Sequence, residues 1–537
     1  MILPGRCGFR NPNITRSTSM THHHEAVPIT LPGAPSKQRA GARAWAGLAL
    51  LSLPTVMLGL DLTLLHLTLP ALAVDLQPTS TQALWIMDAY GFLIAGFLIT
   101  MGTLGDRIGR RKLLLIGATA FAAASAVAAF STSPNMLIAA RAALGVAGAT
   151  LMPSTLALIS NLFTAPAQRA LGIGIWAAMW GIGYALGPVV GGMLLEWFWW
   201  GAAFLIAVPV VILLLILAPF LLPEYRAPGN ERLDLLSVAL SLAAMLPFVY
   251  GIKQLAKSSI TLDTVIAILT GLVFAWLFVQ RQRRLADPLL DLSLFANKAF
   301  CVALLVLLFS LVSVGGTMLL VAQYLQLVLG YSPAVAGLWM GLAALAMIIG
   351  ATSAPLLARA IRPGFVITGS LALSVLGYLM LTQLNHSSNG VTLAVAALAL
   401  AYLGNGTIAA LGTDMVVGSA PPEKAGAASA MTEMVQDLGV SLGIALLGSI
   451  ASAVYHRAIL DRLPDDLATA TRTAISDSLW AATSLASELP TGLMEQAQAA
   501  FIAGLQGAAL FNVLNVTVLT LLSAVALRHI GVPPGQK

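Results

Sequence analysis

The stretch TMGTLGDRIGRRKLLLIG, residues 100–117, places a cluster of charged residues and four glycines between two long apolar runs. The whole chain shows the same contrast: 58% of its 537 residues are hydrophobic and 9% are charged, whereas a soluble protein carries about 25% charged residues. A bilayer core about 30 Å thick needs roughly 20 apolar residues of helix, and the apolar runs here are continuous rather than alternating. The composition therefore predicts an all-α membrane protein in which the charged stretch joins two spans.

Fourteen apolar windows are long enough to span a membrane as helices. They are residues 46–73, 82–104, 112–132, 136–163, 169–194, 200–222, 233–252, 261–280, 299–328, 334–358, 364–384, 391–418, 425–454 and 502–527. This order predicts two six-helix halves, at 45–222 and 286–530, with two inserted helices at 223–285. LLARAIRPG at 356–364 faintly resembles LGDRIGR between spans two and three, as expected of a duplicated transporter half.

The distribution of basic residues fixes the predicted orientation. An even number of spans puts both ends on one side, with disordered cytosolic tails predicted at 1–44 and 531–537. Five basic residues then fall outside and Arg141 falls in the membrane, so the positive-inside rule is satisfied. The five are Lys253, Lys257, Arg457, Arg462 and Arg472.

Two segments outside the spans, 455–501 and 22–25, each have a functional and a structural interpretation. The acidic segment 455–501 is predicted to be a partly helical external loop, and both a function and a tolerated insertion explain its length. The run from His22 to Glu25 could bind a metal, but a flexible tail explains it better, so no metal site is predicted.

The charged loop carries the first resemblance to a known family. GTLGDRIGRRK resembles the signature loop of the major facilitator superfamily, which lies in the same place, between helices two and three. The resemblance implies that Asp106 docks near a helix start in the other half, as a latch that favours the outward-facing state. The latch residues that match are Gly102, Gly105, Asp106, Arg107, Gly109, Arg110 and Arg111.

Two further stretches agree with that family. RAALGVAGA, from Arg141, resembles a helix-four signature in which an intramembrane arginine is tied to proton coupling. WGIGYALGPVVGG at 180–192 resembles the helix-five signature of proton-driven drug exporters, where small residues allow close helix packing and proline bends the helix at a gate. The gate residues are Gly183, Gly187, Pro188, Gly191 and Gly192.

Fourteen spans narrow the resemblance to the 14-helix drug:proton antiporters. Within that group, LDLTLLHLTLP at 60–70 and LWIMDAYGFLIAG at 84–96 resemble exporters of quaternary ammonium compounds and methyl viologen. His66 and Thr68 depart from the usual helix-one motif, which leaves the fine specificity open.

Five carboxylates lie within spans, where an acid is costly unless it has a function or a partner. They are Asp61, Asp88, Asp414, Glu433 and Asp437. The resemblance implies a role in proton coupling for Asp61, and in cation recognition or coupling for Asp88. It also implies that one acid of the 425–443 motif governs recognition of divalent cations, without deciding between the two acids there.

Each of the other acids also has a structural interpretation. Asp88 could sit at the membrane interface, and Asp414 could be a helix-end charge. Glu433 and Asp437 share a helix face and could bond each other or Gln436. Aromatic rings attract ammonium groups, and the candidates are Tyr90, Trp176, Trp180 and Tyr324.

These features predict an antiporter that exports lipophilic mono- and divalent cations in exchange for protons. The alternative is an exporter of a metabolite or another non-cationic compound on the same fold. The expected setting is a bacterial inner membrane, with a monomer driven by the proton gradient, no cofactor and no nucleic-acid partner. An enzyme is not expected, since neither GxSxG nor HExxH occurs.

Overall fold

The computed structural model describes most of residues 40–527. The residues left out are 1–39, 164, 227–233, 258–260, 286–287, 289, 291, 386–389, 420–424, 461, 465–466, 487–488, 491 and 528–537. Most of the predicted N-terminal tail and the whole predicted C-terminal tail therefore lie outside the described residues.

The described residues form seventeen α-helices. They are α1 (Ala42–Leu76), α2 (Ser80–Ile108), α3 (Arg110–Ala129), α4 (Pro134–Leu162), α5 (Pro166–Trp197), α6 (Ala202–Leu205), α7 (Ala207–Leu221), α8 (Leu235–Lys257), α9 (Leu262–Gln282), α10 (Lys298–Gln323), α11 (Pro333–Ala360), α12 (Pro363–Leu381), α13 (Gly390–Gly418), α14 (Ala425–Leu460), α15 (Thr469–Asp477), α16 (Leu479–Ser484) and α17 (Leu493–Ala526). A 3₁₀ turn at Leu292–Ala296 precedes α10, and a π-helical turn at Tyr324–Val328 extends it.

Fourteen helical segments in the described part of the chain are long and apolar enough to cross a membrane, which confirms the predicted count. The sixth span combines α6 and α7, and α15 and α16 are too short to cross. α1 begins at Ala42, two residues before the predicted end of the tail at residue 44. α14 continues to Leu460 and α17 starts at Leu493, so the predicted external loop 455–501 is shorter than expected and contains two short helices.

The helix starts follow local sequence signals. Thr79 and Gln82 form a reciprocal capping box at the start of α2, and the side chains of Ser133 and Ser332 cap α4 and α11. Proline occupies the first turn of α4, α5, α11 and α12, where its missing N–H costs nothing. These caps fix the short turns that make neighbouring helices antiparallel.

The two halves repeat one packing plan. In the N-terminal half α1 packs on α5, α2 and α3 pack on α4, and α3 packs on α7. In the C-terminal half α10 packs on α14, α11 and α12 pack on α13, and α12 packs on α17. The halves meet where α5 contacts α11 and where α2 contacts α14, while the inserted α8 and α9 pack on each other with α8 against α2 and α14. This repeated plan agrees with the duplication predicted from the two loop motifs.

Candidate functional site

An ion pair in the N-terminal half joins the half-buried Asp61 of α1 to the buried Arg141 of α4. Nη1 of Arg141 donates to Oδ2 of Asp61 at 2.7 Å, and Nε of Arg141 donates to the carbonyl oxygen of Ile86 on α2 at 3.1 Å. Arg141 is 1% exposed. Helices α4 and α2 approach closely because Gly145 lies one turn after Arg141, where a Cβ atom would come 2.5 Å from the carbonyl oxygen of Tyr90 on α2. The structure therefore brings together the predicted helix-one acid and the predicted helix-four arginine.

Tyr90 connects this pair to the other half. The guanidinium carbon of Arg141 lies 4.5 Å from the centre of the Tyr90 ring, so the cation on that ring face is the protein's own arginine. Tyr90 interacts electrostatically with Asp61 and also with Asp437 on α14. Tyr90 therefore interacts with acids of both halves, and its ring face is not open to a substrate.

The acids of the C-terminal half lie at the contact between α2 and α14. Gly91 of α2 abuts Ser441 of α14, one turn after Asp437. Asp437 is 4% exposed, and its Oδ2 has no hydrogen-bond partner among the described residues. Glu433 lies one turn before it and interacts with it electrostatically. Within the described part of the chain, neither acid forms an ion pair with an arginine or a lysine.

Asp88 and Asp414 occupy different surroundings. Asp88 is fully buried, on the face of α2 where Leu84 and Gly91 contact α14, so it does not lie at an interfacial surface. Asp414 is exposed on α13, four residues before that helix ends at Gly418. The structure therefore groups Asp88 with the central acids, whereas the position of Asp414 fits the helix-end alternative.

Three tyrosines that the sequence analysis did not single out interact electrostatically across the two halves, and together with Trp180 they are called the aromatic cluster below. Tyr184 of α5 interacts electrostatically with Tyr378 of α12 and Tyr402 of α13, and Trp180 stacks on Tyr184 with ring centres 5.5 Å apart. All three tyrosines are buried, and the hydroxyls of Tyr184 and Tyr402 have no hydrogen-bond partner among the described residues. The signal for Tyr184 was present, since it lies inside the quoted helix-five signature.

The other predicted aromatic contacts have structural partners. The indole N–H of Trp176 donates to Oγ1 of Thr155 at 3.0 Å, which ties α5 to α4. The hydroxyl of Tyr324 donates to the carbonyl oxygen of Asn385 at 2.8 Å, which anchors the end of α10. Of the four aromatic residues predicted from the sequence, Trp180 alone joins the cluster.

The signature loop is tied within its own half. Asp106 accepts two hydrogen bonds from Arg110, at 2.6 and 2.8 Å, so the described contacts do not place it on a helix start of the other half. Gly109 makes the turn between α2 and α3 with a φ of 112°, a conformation that favours glycine. Glu224 accepts from the backbone N–H of Arg111 at 3.0 Å. The loop expected to latch the halves is paired internally in this structure, and Arg107 is exposed beside it.

The predicted gate residues of α5 contact two helices, α1 and α11. Gly183, Gly187 and Gly191 lie against α1, whereas Gly192 lies against the backbone of Pro333 on α11. Pro188 faces Gly337 in the same way. Close helix approach through glycine thus operates both inside the N-terminal half and between the halves. Together with the contact of Leu84 with Gly448, these approaches close the halves at the end of the bundle predicted to be external.

Comparison with known proteins agrees with this architecture. The pattern of the Major Facilitator Superfamily matches residues 51–444. The multidrug efflux pump LfrA of Mycolicibacterium smegmatis is 40% identical over 501 residues, which cover 93% of this chain and 99% of that protein. The methyl viologen resistance protein SmvA of Salmonella typhimurium is 34% identical over 467 residues, covering 86% and 93%.

A solved structure supports the fold separately. A bacterial homologue of the human lysosomal transporter Spinster, in an inward-facing and unoccupied conformation, superposes with a TM-score of 0.64. The superposition covers 92% of this chain and 98% of that one at 16% identity. The chain is a multi-pass membrane transporter and not an enzyme, and it belongs to the Major Facilitator Superfamily, as its signature loop predicted.

Proposed function

We propose that this transporter exports lipophilic mono- and divalent cations across a bacterial inner membrane in exchange for protons. The observation that carries the proposal is the unequal neutralisation of the buried acids where the halves meet. Asp61 has Arg141 as its cationic partner, whereas Asp437 has none among the described residues. An ionised carboxylate buried in this way costs several kcal/mol unless a proton or a bound cation neutralises it.

Competition for one carboxylate is the physical basis of exchange. A substrate cation and a proton both neutralise Asp437, so binding of one disfavours binding of the other. Glu433, one turn away, adds a second negative charge to which a divalent cation can also bind. The names of two relatives, a multidrug efflux pump and a methyl viologen resistance protein, support substrates of this class, since methyl viologen is a dication.

The aromatic cluster supplies the second half of a cation site. Lipophilic cations carry rings or alkyl groups that need an apolar wall, and ring faces attract ammonium groups by about 0.5 to 2 kcal/mol. Trp180 is half-buried, while Tyr184 and Tyr402 are buried beyond it. We expect the substrate to contact Trp180 first and to reach the tyrosines afterwards.

Transport would follow from rocking of the two halves. The close approaches of α5 with α11 and α2 with α14 seal the predicted outer end, and Asp106 is not latched across the halves. Both features fit an inward-facing state, because the latch is expected to favour the outward-facing one. We expect a monomer with both termini in the cytosol, driven by the proton gradient without a cofactor.

The test is gradient-dependent efflux of ethidium and methyl viologen from cells or vesicles. The native chain is compared with Asp61→Asn and with Asp263→Asn, a matched control at an exposed aspartate in the first turn of α9. Efflux that needs the proton gradient, is lost in Asp61→Asn and persists in Asp263→Asn supports proton-coupled cation export. Absence of efflux from membrane-inserted native protein would favour the metabolite-exporter alternative.

A further inference from the structure

A cavity lies between the halves at the predicted outer end, apart from the central acids. Leu69 of α1 and Leu84 of α2 form one wall, and Leu319 of α10 and Phe501 of α17 belong to the opposite wall. The segment 469–484, which contains α15 and α16 and is called the roof below, lines the cavity from Asp477 to Trp480.

The roof is fixed to the C-terminal half. The hydroxyl of Tyr455, near the end of α14, donates to the carbonyl oxygen of Ile475 at 2.7 Å. Nδ1 of the neighbouring His456 donates to the carbonyl oxygen of Ser476 at 2.8 Å. Two consecutive backbone carbonyls of α15 are therefore held by two consecutive side chains of α14, and the roof should move with that helix.

The roof also reaches the N-terminal half through Asp477. Its carboxylate accepts from the backbone N–H of Ser80 at 2.7 Å and from the hydroxyl of Ser80 at 3.1 Å. Ser80 is the first residue of α2, so the carboxylate also meets the positive end of that helix dipole. This contact joins the roof to the N-terminal half across 397 positions of the chain. Parting the halves at this end must break it.

The lining of the cavity suits an organic cation. Most of its wall is aliphatic or aromatic with few polar groups, which is the lining typical of small-molecule sites. The ring of Trp480 lies in that wall, and its indole N–H is buried without a hydrogen-bond partner among the described residues. Asp477 contributes a negative charge that helix α2 offsets while the halves are closed. Once α2 moves away, that charge attracts a cation more strongly.

We propose that this cavity is an exit-side binding site for a lipophilic organic cation, closed by the roof and by the contact of Asp477 with Ser80. The inference rests on the proposed function, since the same class of compound must leave the protein at this end. It assigns to the external segment a role in substrate release and distinguishes it from a tolerated insertion. Asp477 has two successive partners in this scheme: the start of α2 in the closed state and the departing cation in the open one.

The test is protection of a cysteine in the cavity wall. Ser452 lines the cavity, so Ser452→Cys is placed in a full-length chain whose two native cysteines, Cys7 and Cys301, are replaced by serine. A membrane-impermeant maleimide labels the purified protein in nanodiscs, with and without ethidium. We expect ethidium to slow labelling at least threefold. Ser484→Cys, on the exposed side of the roof, is the matched control and should not be protected.

Two variants of Asp477 separate closure from binding. Asp477→Asn still offers an acceptor oxygen to Ser80, so we expect near-native labelling without ligand but at least threefold weaker protection by ethidium. Asp477→Ala removes both hydrogen bonds and should raise labelling without ligand at least threefold. This second variant also keeps the test possible if Ser452→Cys is shielded in the native background.

Several outcomes would overturn the inference. In the first, the native chain exports ethidium, but ethidium does not change the labelling of Ser452→Cys. In the second, Asp477→Ala leaves labelling without ligand unchanged. In the third, ethidium protects Ser452→Cys and Ser484→Cys equally. If the native chain moves no ethidium, the proposed function fails instead. The efflux measurement therefore distinguishes the two failures.

Discussion

The two halves share one packing plan but treat their buried carboxylates differently. In the N-terminal half Arg141 on α4 neutralises Asp61 on α1 at 2.7 Å. The corresponding helices of the C-terminal half, α10 and α13, are joined by a neutral hydrogen bond from Ser310 to Asn405 at 2.9 Å. The C-terminal acids lie instead on α14, without an arginine or lysine partner among the described residues. One half therefore holds a permanent ion pair, and the other presents acids that an incoming cation or proton must neutralise.

The largest expected effect comes from breaking the permanent pair. Arg141→Gln leaves the half-buried Asp61 carboxylate without its cation, which should lower the free energy of unfolding by about 3 to 5 kcal/mol and abolish efflux. Thermal unfolding of the purified protein measures the first effect, and ethidium efflux measures the second.

A double variant sharpens this test. Asp61→Asn combined with Arg141→Gln removes both charges, so it should recover most of the stability lost in either single variant while efflux stays absent. If the double variant is destabilised by the sum of the two single changes, the pair is not the energetic unit that its geometry indicates.

The next effect concerns the acids that have no cationic partner. Asp437→Asn removes a charge that is costly to bury, so the melting temperature should be unchanged or higher. Efflux of methyl viologen should fall at least tenfold, because the dication loses its principal counter-charge, and efflux of monovalent ethidium should fall less. Efflux of the two dyes and thermal unfolding of the same preparations measure the three quantities.

Glu433→Gln ranks the two acids of α14. If Asp437 is the exchange site and Glu433 a supporting charge, Glu433→Gln should lower methyl viologen efflux less than Asp437→Asn does. A large drop in melting temperature for Asp437→Asn would show that this carboxyl has a structural partner, and it would remove the contrast with Asp61.

Removing single hydroxyls from the tyrosines should change stability less, and Tyr402→Phe is the matched control for Tyr378→Phe. The Tyr378 hydroxyl is hydrogen-bonded to Ser313 and Thr317, so Tyr378→Phe should cost about 1 kcal/mol of stability. Tyr402→Phe removes a buried hydroxyl with no partner among the described residues, so it should be neutral or stabilising. Thermal unfolding of the two variants tests the difference, and equal destabilisation would contradict it.

Tyr184→Leu removes a ring and should weaken ethidium binding by about two- to thirtyfold, measured by fluorescence titration.

The sequence was sufficient for features set by local pattern. Hydropathy predicted fourteen spans and two halves, and the candidate acids were visible because charges are rare inside apolar runs. The pairing of Asp61 with Arg141 joins positions 80 apart in the chain, and the tyrosine cluster joins three helices, so neither follows from local pattern. The pairing of Asp106 with Arg110 is local in sequence, since only four positions separate the two residues, but it spans the turn that Gly109 makes between α2 and α3. The family resemblance directed attention to the other half instead.

The smallest expected effect comes from an acid paired outside the membrane, at the start of α8. Burial raises the pKa of Asp234, but hydrogen bonds from Arg281 and Ser237 outweigh it and hold the pKa below its ordinary value. A lowered folded-state pKa contributes stability above the unfolded value, about 3.9 for Asp, and the contribution is lost as the pH falls through the folded value. Arg281→Gln should therefore cost about 0.5 to 1 kcal/mol at pH 7, and the difference from native should shrink below about pH 3.9.

Arg283→Gln is the matched control for this pair, since Arg283 is exposed two residues away and forms no ion pair with a described residue. Thermal unfolding of both variants between pH 3 and pH 7 measures the pH dependence. If Arg281→Gln loses as much stability as Arg141→Gln, an unpaired acid costs no more inside the membrane, at Asp61, than outside it, at Asp234. Because the side chain of Arg281 is 32% exposed and that of Arg141 is 1% exposed, the same chemical pair should differ severalfold in its contribution between the two places.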